Sequence, residues 1–410
     1  MRNIRKTSLF LLCLALFMTS CAGRENVTEN AAPPSGSYST GGGEYQNGTF
    51  VFVENSTGID DGIARLISSM QSYGIDLYQT PSSPDGLIAQ DDVVILKINC
   101  QWADRGGTNT DLIRSTIQAL LDHPLGFRGE IIVADNGQAQ FGSENSGGSL
   151  EWRNNNAVDR SQSVMHVVRD FQASGHNVTG VLWDRFTTTR VSEFNAGDNR
   201  DGFIVEDFMH TTGTDVSYPK FTTEYGTHVS FKYGIWNPNT SSFNSEKLKV
   251  INMPVLKAHF IFQVTGAVKA YMGIPSARLT NMRPHNAVGT GSMGTLLAET
   301  RMPVLNIIDM IWIAPSGGPM VPDAAAVQTN KIAASVDPFA LDYWTTKNIL
   351  MPAAERLPGG RAAIMNPDGT TPGTFGYWLK LSINEVHKAG ISATMNEEDI
   401  ILVEGGVLKS

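Results

Sequence analysis

Residues 92–98 read Asp-Val-Val-Ile-Leu-Lys-Ile: Asp92 opens an apolar run without polar alternation, and the one charge inside that run, Lys97, lies near its end. A run this short and this apolar is a strand covered on both faces, the kind found inside parallel sheets. Similar strand signals recur at residues 49–54, 130–134, 179–183, 248–256, 304–313, 331–336 and 399–404. Between them lie segments with apolar residues at helical spacing. These are residues 59–73 (Ile63, Leu66, Ile67, Met70), 111–122 with Thr110 as N-cap, 158–172, a short one at 266–272, 338–350 and 377–389. For the helix at 338–350, Asp337 is placed as N-cap with Pro338 at the first position. Strands alternating with helices predict an α/β fold with a mostly parallel, doubly wound sheet, which binds ligands beyond the carboxyl ends of its strands.

Residues 186–245 break this rhythm. They are rich in Thr, Ser, Asn, Tyr and Gly, and read as an insertion of loops and short antiparallel strands, suggesting a lid or cap. The start of the chain is a separate element. Arg2, Arg5 and Lys6 precede the apolar stretch 8–18, and Met18-Thr19-Ser20-Cys21 closes it. The stretch is too short to span a bilayer and has the layout of a secretory leader. The last four residues resemble a lipobox, with Met18 in place of the usual Leu and Cys21 as the lipidated residue. The expected organisation is therefore a leader over 1–20, a lipidated Cys21 with a flexible tether over 21–46, and one α/β body over 47–410 carrying the insertion. Such a chain is exported and held at a membrane through lipid on Cys21 alone.

The formal charge is −9, and the leader holds three basic residues and no acid, so the cleaved body stands near −12. That argues against nucleic acid or an anionic lipid surface as partners of the body as a whole. Of the three cysteines, only Cys100 lies beyond the leader and Cys21, which leaves no disulfide and no cysteine-ligated iron–sulfur cluster for the body. Cys100 follows an apolar strand and reads as a buried small hydrophobe rather than a nucleophile.

Against this background three groups of polar residues stand out. Lys97 lies in a buried strand with Asn99 on the same face two residues on; an anion ligand or a base of shifted pKa explains it as well as a stem that packs and a head that reaches water. The segment 250–259 runs as a strand into Lys257 and His259, followed by Thr265-Gly266-Ala267-Val268-Lys269, where a helix start offers free N–H groups to an anion. Acids close several strands: Asp135, then Asp309 inside an apolar run, then Asp337 and Asp342 around a helix start, where capping and the helix dipole account for them in part. Gly317-Gly318-Pro319 marks a sharp turn, and His285 reads as a solvated loop residue.

The ordered segments Val94–Asn99, Val250–His259, Val264–Lys269, Leu305–Asp309 and Ser335–Asp342 resemble the prokaryotic family known as domain of unknown function 362. The resemblance covers residues 49–404, and the Pro-x-x-Lys-x-His and Thr-Gly-x-x-Lys elements are its most specific part. It implies that Lys97, Asn99, Lys257, His259, Lys269, Asp309, Asp337 and Asp342 stand at recurrent motif positions. Many relatives carry a ferredoxin-like iron–sulfur segment that this chain lacks, and Ala270 stands where Asn is frequent.

The expected function is an enzyme, or an enzyme-derived binder, of a small anionic ligand, carboxylate or phosphate. His259, Lys257 and Lys97 are the expected catalytic groups, and Asn99, Lys269, Gly266, Thr265, Asp309, Asp337 and Asp342 the ligand-binding ones. No metal or cofactor is specified by a motif; a divalent cation held by His259, His285 and acids is an alternative. A non-catalytic lipoprotein that binds a glycan or a partner protein through the insertion is another.

Overall fold

The structure is a computed structural model that describes residues 48–137 and 147–409. The leader, Cys21 and the tether lie outside the described residues. The strands are β1 (Thr49–Asn55), β2 (Val93–Ile98), β3 (Glu130–Asp135), β4 (Val178–Leu182), β5 (Gly202–Met209), β6 (Asp215–Thr222), β7 (His228–Ser230), β8 (Gly234–Asn237), β9 (Ser242–Asn244), β10 (Leu248–Met253), β11 (Val255–His259), β12 (Gln263–Thr265), β13 (Leu305–Ala314), β14 (Val327–Ser335), β15 (Ile400–Glu404) and β16 (Val407–Leu408). The main sheet runs β16-β15-β1-β14-β13-β10-β2-β3-β4, with β11 joined to β13 and β12 to β11.

The core of this sheet is parallel: β13, β10, β2, β3 and β4 all run the same way. β14 is antiparallel to both neighbours, so the sheet as a whole is mixed. Both faces are covered. Val94, Leu96 and Ile98 of β2 pack with apolar residues of three helices, α1 (Gly62–Ser72), α2 (Thr110–Leu121) and α3 (Val164–Ala173). Val93 and Ile95 point the other way, into a cluster with Phe203, Tyr218, Phe221, Phe231, Phe339 and Trp378. The alternation inside one unbroken apolar strand is what a doubly covered sheet requires.

The insertion forms its own antiparallel meander, β5-β6-β7-β8-β9. Its aromatic residues share a core with the main sheet, so it shields a sheet face.

Two local readings are corrected. Residues 248–256 are two strands, β10 and β11, broken at Pro254, which has no N–H to give to a sheet ladder. β10 sits between β2 and β13, whereas β11 leaves β2 and continues along β13 to a register shift between Val255 and Lys257. The N-cap of α2 is Asn109 rather than Thr110: the Asp111 and Leu112 N–H groups donate to Asn109 Oδ1 at 2.9 and 3.2 Å.

At the Pro338–Thr345 helix, the Phe339 and Ala340 N–H groups donate to Asp337 Oδ1 at 2.8 and 3.2 Å, and Thr394 N donates to Oδ2 at 2.7 Å. Burial pushes the Asp337 carboxyl up to about 6, against those three donors. Asp337→Ala leaves all three N–H groups short of a partner, so it should lower unfolding free energy by at least about 1 kcal/mol, read as a lower urea midpoint at unchanged m. An unchanged midpoint would show that the cap contributes nothing.

Candidate functional site

Lys97 is the penultimate residue of β2 and Asp135 the last of β3, so the parallel pairing sets them side by side at the carboxyl edge. Lys97 Nζ lies 2.8 Å from Asp135 Oδ1 and donates to the Ile98 carbonyl at 2.9 Å. The other carboxylate oxygen accepts the Cys100 N–H at 2.9 Å. The pair is sealed by Gly273, where an added Cβ would fall 2.2 Å from Asp135 Oδ1 and 2.5 Å from Lys97 Nζ. Burial raises the Asp135 carboxyl, and the Lys97 ammonium opposes that rise.

A cleft of about 530 Å³ opens above this pair. Its lining includes Lys97, Asn99, Lys257, His259, Thr265 and Lys269, six of the residues singled out from sequence. Lys257 Nζ donates to the Gly106 carbonyl, and Lys269 Nζ lies 5.3 Å from the centroid of the Phe262 ring. Both lysines are buried. Burial pushes Lys257 down to about 7, with Lys269 the next cause. Burial likewise pushes Lys269 down to about 7, with Lys97 the next cause. Asp135 is the only carboxylate on the described lining, and it already faces Lys97. An overall acidic molecule thus holds a cleft in which, beside the paired Lys97, two further buried amines make no ion pair among the described residues.

His259 is fixed by its own backbone. The Ile261 and Phe262 N–H groups donate to its Nδ1 at 3.1 and 3.2 Å, which leaves the ring proton on Nε2. Burial and the nearby Lys269 hold this imidazole far below the usual histidine range. It is therefore a neutral N–H donor. The sequence reading gives it the acid–base role; in the structure it stands as a neutral donor beside two lysines that burial pushes down to about 7. Thr265 Oγ1 and Trp102 Nε1 also belong to lining residues, are buried, and have no hydrogen-bond partner.

The remaining expected site residues lie elsewhere and support the wall. Asp309 Oδ2 accepts the Asn109 N–H and the Asn156 side-chain amide at 2.9 and 3.0 Å, and Oδ1 accepts the Ile311 N–H at 3.0 Å. Burial pushes this carboxyl up to about 7 against those donors. It anchors the start of α2, and so the loop that offers Gly106 to Lys257. The free helix start expected after Gly266 is filled from within: Ala267 and Val268 N–H donate to the Asp342 carboxylate, the second at 2.9 Å. Gly266 is needed because a Cβ there would lie 2.2 Å from Asp342 Oδ1. Asn99 Oδ1 accepts the Val255 N–H at 3.0 Å, tying the cleft rim to β11.

Several lining residues carried no signal in sequence. His285, read as solvated, borders the cleft with its ring 4.9 Å from Phe262, and burial followed by Lys269 pushes it down to about 4. Gly273, Met272 and Met282 come from a segment with no motif, and no residue of 186–245 is on the lining. Among the described residues, no three His, Cys, Asp or Glu side chains gather as a metal ion needs.

Gly273→Ala should force the Lys97–Asp135 pair apart. The expected loss is about 1–3 kcal/mol of stability, seen as a lower melting temperature, whereas alanine at the open Gly289 should change little. Equal melting temperatures for the two variants would refute the tight seal.

Comparison with known proteins adds one match. No curated protein and no solved structure matches the chain. Residues 154–347 match the family described as Domain of unknown function (DUF362), a segment that contains Lys257, His259, Lys269, Asp309, Asp337 and Asp342. The chain resembles that family over this span.

Proposed function

We propose that the protein binds a small anion, carboxylate or phosphate, in the cleft between Lys257, Lys269 and His259, as an enzyme or an enzyme-derived binder. The observation that carries this reading is a pair of buried lysines that make no ion pair among the described residues, beside a neutral imidazole whose Nε2–H is a donor. Such an arrangement stabilises negative charge without reorganising when the charge arrives. A lysine near neutrality can also hold or release a proton in the working range, so a proton transfer at the bound ligand falls to Lys257 or Lys269.

The proton linkage has a definite sign. Burial pushes each lysine down to about 7 from the ordinary 10.5. The penalty for burying the ammonium is full below pH 7 and disappears as pH rises through 7 to 10.5, so these groups favour the fold at high pH. A bound anion favours the ammonium form and raises both values. Affinity for an anion of constant charge, such as sulfate, should be greatest below pH 7 and fall by up to about tenfold per pH unit per lysine above it. Calorimetric titration with sulfate at pH 6 to 9 on wild type and Lys257→Met measures this. A flat pH profile, or affinity unaltered in the variant, would refute the anion site.

A second reading, a partner-binding surface on the insertion, draws on Phe208 and Met209, which are exposed on β5. Under it, Lys257→Met leaves partner binding intact.

We also propose that the chain is an exported lipoprotein anchored through Cys21, a reading that rests on the leader and its closing residues. No helix among the described residues is long and apolar enough to cross a membrane. Cys21→Ser should shift the protein from the membrane to the soluble fraction of a cell expressing it; retention in the membrane would count against lipidation.

A further inference from the structure

The buried amines form only part of the cleft lining. Another part is apolar and open to solvent. Phe260, Ile261 and Met320 are 61%, 46% and 61% exposed, and all three line the cleft. They are three of the eleven large apolar residues exposed among the described ones, so a single opening concentrates them. Scattered exposed apolar residues need no explanation; a cluster rimming a charged pocket does.

Two chain segments build this lip. Residues 260–262 follow β11, and the segment after β13 returns beside them through Gly318-Pro319. The Phe260 N–H donates to the Gly318 carbonyl at 3.2 Å, and Gly318 packs so closely that a Cβ would fall 1.8 Å from the Ala258 carbonyl oxygen. The lip is thus held in register with the strand that carries Lys257. It is also continuous with the polar floor, because the Phe260 ring stacks on the His259 imidazole with centroids 5.4 Å apart.

We infer that the ligand is an amphiphilic anion: a carboxylate or phosphate head covalently joined to an apolar tail, with the head at Lys257, Lys269 and His259 and the tail along Phe260, Ile261 and Met320. This rests on the anion site proposed above and adds the chemical class of what occupies it. A small inorganic anion would leave the lip wet, whereas a tail leaving the head would bury it. The same chemistry is presented by a free amphiphile and by a lipid with an anionic headgroup.

The test is a chain-length series on the full-length protein: inorganic phosphate, then ethyl, butyl, hexyl and octyl phosphate, below their micelle-forming concentrations. Affinities are taken by calorimetry at one pH. Affinity should rise two- to fourfold per methylene, the range expected for partial to full burial of each group, until the tail outruns the lip. The slope should flatten in Ile261→Ser/Met320→Ser, and because it is read within each protein it isolates the lip from the head. A flat series with lysine-dependent phosphate binding overturns the amphiphile and leaves the anion site standing. A slope that survives in the double variant overturns the lip as its cause. Loss of both phosphate and alkyl phosphate binding, or binding indifferent to Lys257→Met, removes the anion site and this inference together. Competition against octyl phosphate by phosphatidylcholine vesicles with and without phosphatidic acid tells the sources apart: displacement only by the anionic vesicles identifies a membrane lipid, and none identifies a free amphiphile.

Discussion

The buried Lys97–Asp135 pair is the contact on which the site depends. It joins the ends of two parallel strands, and its carboxylate also receives the Cys100 N–H, so it fixes where the chain turns away from the sheet. A buried charge pair is a weak source of net stability, but removing one partner is costly because the other is left unpaired out of water. Its role is therefore positional. Lys257 and Lys269 make no ion pair among the described residues, and burial, followed by the neighbouring lysines, lowers their proton affinity, with Asp135 and Asp309 opposing this at Lys257.

A second set of buried carboxylates acts in the same sense. Asp309, Asp337 and Asp342 each accept backbone N–H groups at the start of a helix or loop. They hold the wall against which Lys257 and His259 are set without entering the cleft. Their carboxyl groups rise because burial outweighs the donors around them. The division of labour is clear: acids build, amines and the imidazole face the opening.

Much of this was legible in the sequence because strand and helix periodicities are local. A lysine inside an apolar run, as in β2, cannot be placed cheaply and so marks either a pair or a site; Lys97 is both paired and on the cleft. Lys257 and His259 were visible because they end a strand. What sequence did not show depends on contacts between distant segments. Asp342 looked like a ligand group and is instead the partner of a helix start some 75 residues away. His285 looked solvated because nothing local buries it; the Phe262 ring packs edge-on against it, and the Lys269 charge acts on it. Gly273 has no motif, and its importance exists only once two charged side chains from other strands arrive beside it. Pro254 was readable as a strand breaker but was passed over inside a longer apolar run.

The contrast between an acidic molecule and its amine-lined cleft has a kinetic side. A net charge of −9 repels an anion over distances beyond the pocket, while the buried amines attract it only once it is inside. Dissolved salt screens over about 8 Å at physiological strength, so it weakens the outer repulsion far more than the contact within. Most anion receptors are approached faster in dilute salt. For an anion of the kind proposed, the early part of the encounter becomes easier as salt is added.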